Sequence, residues 1–198
     1  SLDSIRDDLR LVLSHRELQL VVVIGTMFLL LQHGLQGWLP TLIEARGLSA
    51  NRAGQITSLF VVALAVGVFF IPPLADRLDV RRTTVVLCGG VVAAGIATLI
   101  SAGVGAALLL GVVVTGIGAG GISPLIRALP PELDGIGAER TGAAVGFIFA
   151  VGEIGGFFGP VLIGSLRDAT GLFLPGLLVL GAGGLVIALA GEGLRRAA

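Results

Sequence analysis

Glu153 lies twelve residues into an apolar run that opens at Thr141, crowded by Gly146, Gly152, Gly155, Gly156 and Gly159 and followed by Pro160. An ionisable side chain at the middle of a bilayer costs at least ~2.5 kcal/mol on insertion scales, so it must face a partner helix or a wet cavity rather than lipid. A carboxylate so placed can carry a proton or hold a substrate; in the plainer reading it is a hydrogen-bonded group that ties helices together. Gly155, Gly156, Gly159 and Pro160 belong with it as packing residues, because small residues let membrane helices approach closely. A second candidate set lies in QHGLQGWLP, where Thr26, His33, Gln36 and Pro40 recur at spacings of seven, three and four and fall near one helix face. Histidine changes charge near physiological pH, which makes His33 a coupling candidate, and Gln36 a cavity-lining one. Both could equally be packing residues that hydrogen-bond. Trp38 reads as an interfacial anchor. The third set, Asp76, Arg77 and Arg81 in PPLADRLDVRR, offers opposite charges that can hold a gate closed or simply be solvated.

These residues need elements to place them, and the composition restricts which. With 198 residues, 55% hydrophobic, 13% charged, 32 glycines and a mean hydropathy of +1.00, the chain reads as an all-α, multi-pass membrane protein. Apolar runs predict six spanning helices, at about 17–40, 51–74, 83–101, 107–126, 141–166 and 172–191. Before them, residues 1–16 alternate Leu2, Ile5, Leu9 and Val12 with charges at helical spacing, an amphipathic link expected on the cytoplasmic membrane surface. The chain opens on Ser1 rather than Met, as a fragment or trimmed domain would.

Several functions are excluded at this level. There is no GxxxxGKS phosphate loop, no His/Cys/Glu metal cluster and no nucleophile beside a base, so neither an enzyme nor a cofactor or metal site is expected. All thirteen basic residues are Arg and fall between apolar runs, unlike a nucleic-acid face. With the N-terminus in the cytoplasm, Arg46, Arg52 and Arg167 lie outside and the other ten inside; the positive-inside bias therefore favours both termini cytoplasmic, in the cell membrane.

A repeat is also visible. Phe69-Phe70-Ile71-Pro72 matches Phe157-Phe158-Gly159-Pro160 at a shift of 88 residues, and the same shift carries the first helix onto the fourth and the third onto the sixth. Three helices repeated after an odd number of spans must be inserted upside down, giving a 3+3 inverted repeat of the kind that builds many secondary transporters.

The six helices, this repeat, the loop PLADRLDVRR and the string VGEIGGFFGPVLIGSLRDATG together resemble the C-terminal half of a major facilitator superfamily (MFS) transporter. Leu74, Ala75, Asp76, Arg77 and Arg81 fit the family's inner-loop motif G-x-L-A-D-R-x-G-R-R, whereas Pro72 and Asp79 replace glycines and Val80 a basic residue. The resemblance implies half of a twelve-helix fold, with the missing N-terminal six-helix half, the lipid bilayer and a small-molecule substrate as partners. It implies secondary active transport by alternating access, proton-coupled where Glu153 is the carboxylate that carries the proton. The string GGFFGPVLIGSLRDATG looks most like members that move organic anions or sugar acids. The rival expectation is a six-helix membrane protein or channel that assembles with itself.

Overall fold

The computed structural model describes residues 14–133, 136 and 138–197, so the amphipathic link expected over residues 1–16 lies almost wholly outside it. The described residues form α1 (Arg16–Ala45), α2 (Ala50–Arg77), α3 (Arg81–Ser101), α4 (Ala106–Ala128), α5 (Ala138–Thr170) and α6 (Leu174–Ala197). A 3-10 turn, Pro130–Glu132, follows α4. All six helices are long and apolar enough to cross a membrane.

Proline does not end these helices where an isolated sequence would suggest. α1 runs on through Pro40 to Ala45, and α5 runs through Pro160. Proline has no N–H, so the carbonyls of Gln36 and Gly156 lack the donor four residues on. Packing against neighbouring helices offsets that loss in a membrane bundle.

The packing has an internal symmetry. α1 lies along α5, α2 along α4, α3 along both α6 and α4, and α6 also along α1. Exchanging the first three helices for the last three leaves this pattern unchanged: α1–α5 becomes α4–α2, α3–α4 becomes α6–α1, and α3–α6 maps onto itself. Both long crossings depend on missing side chains. On the α2–α4 crossing, a Cβ on Gly67 would strike the carbonyl of Ile117 and one on Gly120 the carbonyl of Leu64. On the α1–α5 crossing, a Cβ on Gly155 would strike the carbonyl of Thr26 and one on Gly159 that of Leu30. Without a hydrophobic drive between helices in lipid, such backbone-to-backbone approach supplies the dispersion contact that holds them together.

Phe28, Phe60, Ile96, Leu108 and Ile122 are fully buried between the helices. By contrast, the repeated aromatic pairs point outward: Phe69 and Phe70 are 73% and 71% exposed, Phe157 and Phe158 67% and 53%. The repeat thus marks two equivalent outward faces rather than two pieces of core.

Candidate functional site

The α1–α5 crossing brings two of the expected residues together. His33 Nδ1 lies 3.9 Å from Glu153 Oε2, with 38% and 61% of the two side chains exposed. Gly156 sits between them: a Cβ there would lie 2.6 Å from His33 Nδ1 and 2.9 Å from Glu153 Oε2. Its lack of a side chain is therefore what lets the imidazole and the carboxylate face each other. Gln36, nearly one turn along α1 from His33, is half-buried, and its side chain makes no hydrogen bond to another described residue. Thr26 is turned to α5 through its backbone, while its hydroxyl donates to the Val22 carbonyl at 2.9 Å.

Gly155 and Gly159 lie against the α1 backbone, and Pro160, inside α5, also makes a contact of its own. Its carbonyl accepts a hydrogen bond from Trp38 Nε1 at 2.8 Å, and the Trp38 ring lies edge-on to Phe173, centroids 6.0 Å apart. Arg167 stands over both rings, 5.5 Å from Trp38 and 4.6 Å from Phe173. Trp38 is thus a latch between α1 and α5. Its spacing from Pro160 gave no sign of that in the sequence.

At the other end, Arg81 bonds to both Asp76 and Glu132, joining the α2–α3 link to the turn after α4. Arg77 stays exposed and has no ion-pair partner among the described residues. Glu132 was legible only as one acid in a polar loop. A second tie escaped notice entirely: Arg82 donates to the Leu194 carbonyl at 2.7 Å and lies 3.6 Å from Glu17, binding the ends of α1, α3 and α6. On the opposite face, Arg46 reaches the α3 C-terminus, donating to Leu99 O at 2.5 Å and Ala102 O at 3.1 Å. Burial lowers the pKa of this guanidinium from its ordinary value.

The sequence profile of the Major Facilitator Superfamily matches residues 10–195. The chain belongs to that superfamily. Among curated relatives it is 34% identical to a gallate transporter of Pseudomonas putida over 158 residues, covering 78% of this chain and 34% of the relative. It is 28% identical to the 3-(3-hydroxy-phenyl)propionate transporter of Escherichia coli (strain K12) over 160 residues, covering 81% and 39%. The chain therefore spans only about a third of the length of these MFS relatives. Its fold matches the crystal structure of the MFS transporter FucP with a TM-score of 0.74 at 17% identity, over 90% of this chain and 42% of FucP.

Membership also explains one departure from the MFS inner-loop motif. Asp79 stands where the motif has glycine, and it adopts a left-handed backbone with φ 53°. The Val80 N–H then bonds to the Ala75 carbonyl at 3.0 Å, closing the C-terminus of α2. Glycine suits this conformation best, and Asp is among the few residues that adopt it at modest cost.

Proposed function

We propose that this chain is the C-terminal six-helix half of an MFS transporter that moves a small organic anion by alternating access, with Glu153 coupling transport to protons. The observation that carries the reading is the His33–Glu153 pair, set on a glycine crossing at mid-depth of α5 and open on one side. Glu153 is about twelve residues, or some 18 Å, from the inner end of its apolar run, close to the bilayer centre. The open side suits a cavity shared with a second half, and the length of the relatives favours such a half over self-assembly. Transport of gallate and 3-(3-hydroxy-phenyl)propionate by the two relatives supports an organic acid as substrate.

In this reading Glu153 takes up a proton when the cavity faces one side and gives it up on the other. His33 and Gln36 hold the carboxylate and contribute hydrogen bonds to the solute. Asp76, Arg81 and Glu132 brace the inner ends of α2, α3 and α4 as a unit, so that the half rocks as one body, with Arg77 left to meet the partner half. Both termini and the Arg81 cluster are cytoplasmic. The test is Glu153→Gln in the complete transporter in proteoliposomes. The amide keeps shape and hydrogen bonding but cannot release a proton. Proton-driven accumulation is lost while substrate exchange persists; normal uphill transport by the variant removes the coupling role.

A further inference from the structure

The first turns of α2 border a cavity that the transport reading does not use. Arg52, Gln55, Ile56 and Leu59 of α2, with Leu108 and Leu109 of α4, line a half-open space of about 310 Å³. The α1–α2 and α3–α4 links supply the rest of its wall. Arg52 is the one charged residue in that lining, and no carboxylate belongs to it. Arg52 is exposed and forms no ion pair among the described residues. The undescribed residues adjoin the start of α1, the α4–α5 link and the end of α6, all at the opposite end of the bundle.

Polarity along this cavity changes in one direction. Arg52 and Gln55 occupy the first two turns of α2, whereas Leu59 lies seven residues, about 10 Å, closer to the middle of the bilayer than Arg52. The helical register shows which way the cavity faces. Arg52 and Phe70, and likewise Ile56 and Leu74, are separated by five full turns of about 3.6 residues, so all four share one face of α2. Further along that face, Phe70 and Leu74 line a second apolar cavity, about 360 Å³, together with Leu87 and Val91 of α3. The face is therefore turned toward α3 and not toward the α1–α5 crossing that carries His33 and Glu153. α3 packs on α4 and α6 and only lightly on α2, the least buried of the six helices. A guanidinium and an amide at headgroup depth above leucines that lead into the hydrocarbon reproduce the polarity of a phospholipid. We infer that the cavity binds an anionic phospholipid such as phosphatidylglycerol, with its phosphate on Arg52 and one acyl chain along Leu59, Leu108 and Leu109. A choline or ethanolamine cation meets no carboxylate in the lining, whereas the Gln55 amide can bond to a glycerol hydroxyl. The bound lipid supplies packing that α2 lacks at this end and ties it to the start of α4. In the orientation proposed above, the lipid belongs to the outer leaflet.

The test uses the complete transporter purified in detergent, with bound lipid counted by native mass spectrometry and thermal unfolding followed as lipid is added. Wild type holds one phosphatidylglycerol on the order of tenfold more tightly than phosphatidylcholine, and its melting temperature rises as that lipid binds. Arg52→Gln weakens the binding about tenfold, the worth of one charge-assisted hydrogen bond, whereas Arg52→Lys keeps most of it because a point charge still meets the phosphate. Leu109→Trp, which fills the cavity and leaves the cation in place, loses the same lipid. Glycerophosphoglycerol, the headgroup without its chains, does not raise the melting temperature. Equal affinity of wild type for the two lipids overturns the inference, and so does unchanged affinity in Arg52→Gln. Full binding by Leu109→Trp overturns it by placing the lipid elsewhere. An equal effect of glycerophosphoglycerol overturns it in favour of a site for free anions. Absence of a tightly bound lipid from the complete transporter overturns it in favour of a cavity filled by the partner half.

Discussion

Adding a single methyl group at three glycines of α5 separates packing from chemistry. At Gly155 and Gly159 the new Cβ would meet backbone carbonyls of Thr26 and Leu30, which cannot move without the whole of α1. Forced overpacking of this kind costs typically about 1–3 kcal/mol. At Gly156 the nearest atoms are instead His33 Nδ1 at 2.6 Å and Glu153 Oε2 at 2.9 Å, both at the ends of side chains. Relief to an ordinary contact of ~3.5 Å needs a shift of about 1 Å, which rotamer changes can supply at well under the cost of moving a helix. Gly156→Ala therefore keeps the thermal stability of the complete transporter in detergent within a few degrees of wild type. It separates His33 from Glu153, and proton-driven accumulation falls severalfold. Gly155→Ala and Gly159→Ala show the reverse order, with the larger loss in stability. Val161→Leu, at an exposed position on the same helix, changes neither. Equal destabilisation by Gly156→Ala and Gly155→Ala would refute the distinction, and so would normal accumulation by Gly156→Ala.

Two further outcomes are expected. Asp79→Cys in a Cys88→Ala background reacts with an impermeant thiol reagent only when the reagent reaches the cytoplasmic face; labelling from outside intact cells reverses the proposed orientation. Arg46→Ala leaves two carbonyls at the end of α3 without their charged donor and costs about 1–2 kcal/mol in a thermal melt. Arg46→Lys recovers little of that, because one ammonium does not match the fork that spans both oxygens.

The six helices were legible because length and apolarity decide spanning segments almost alone. Their ends were less so: a proline such as Pro40 reads as a stop, yet α1 continues past it to Ala45 because lipid offers no competing solvent for the backbone. Of the candidate residues, Glu153 and His33 were singled out by polarity at depth, a signal the bilayer makes strong. Their proximity was not legible, since nothing in a chain separation of 120 residues fixes which faces meet. The contact of Arg127 with Phe149 was missed for a related reason. Arg127 reads as a residue at a helix end, and nothing in the sequence shows that its guanidinium lies 4.4 Å from the Phe149 ring of α5. Glu132 and Trp38 depended in the same way on contacts between elements.

The repeat locates the chemistry by where it fails. Gly155 on α5 corresponds to Gly67 on α2 at the shift of 88, and both press on a backbone carbonyl of the helix they cross. The architecture of the two crossings is thus the same. At the positions that matter the correspondence stops: Glu153 maps to Ala65 and His33 to Gly121, a residue packed against Cys88 and Ile71. The α2–α4 crossing has only small, apolar groups where the α1–α5 crossing has an acid and an imidazole. Packing alone is satisfied by either set, so the polar pair is not needed to hold two helices together. The polar pair is carried on one crossing only, which gives the bundle a chemically distinct side on α1 and α5. Symmetric packing with one-sided chemistry fits the proposal that the half rocks as a rigid unit while Glu153 carries the proton.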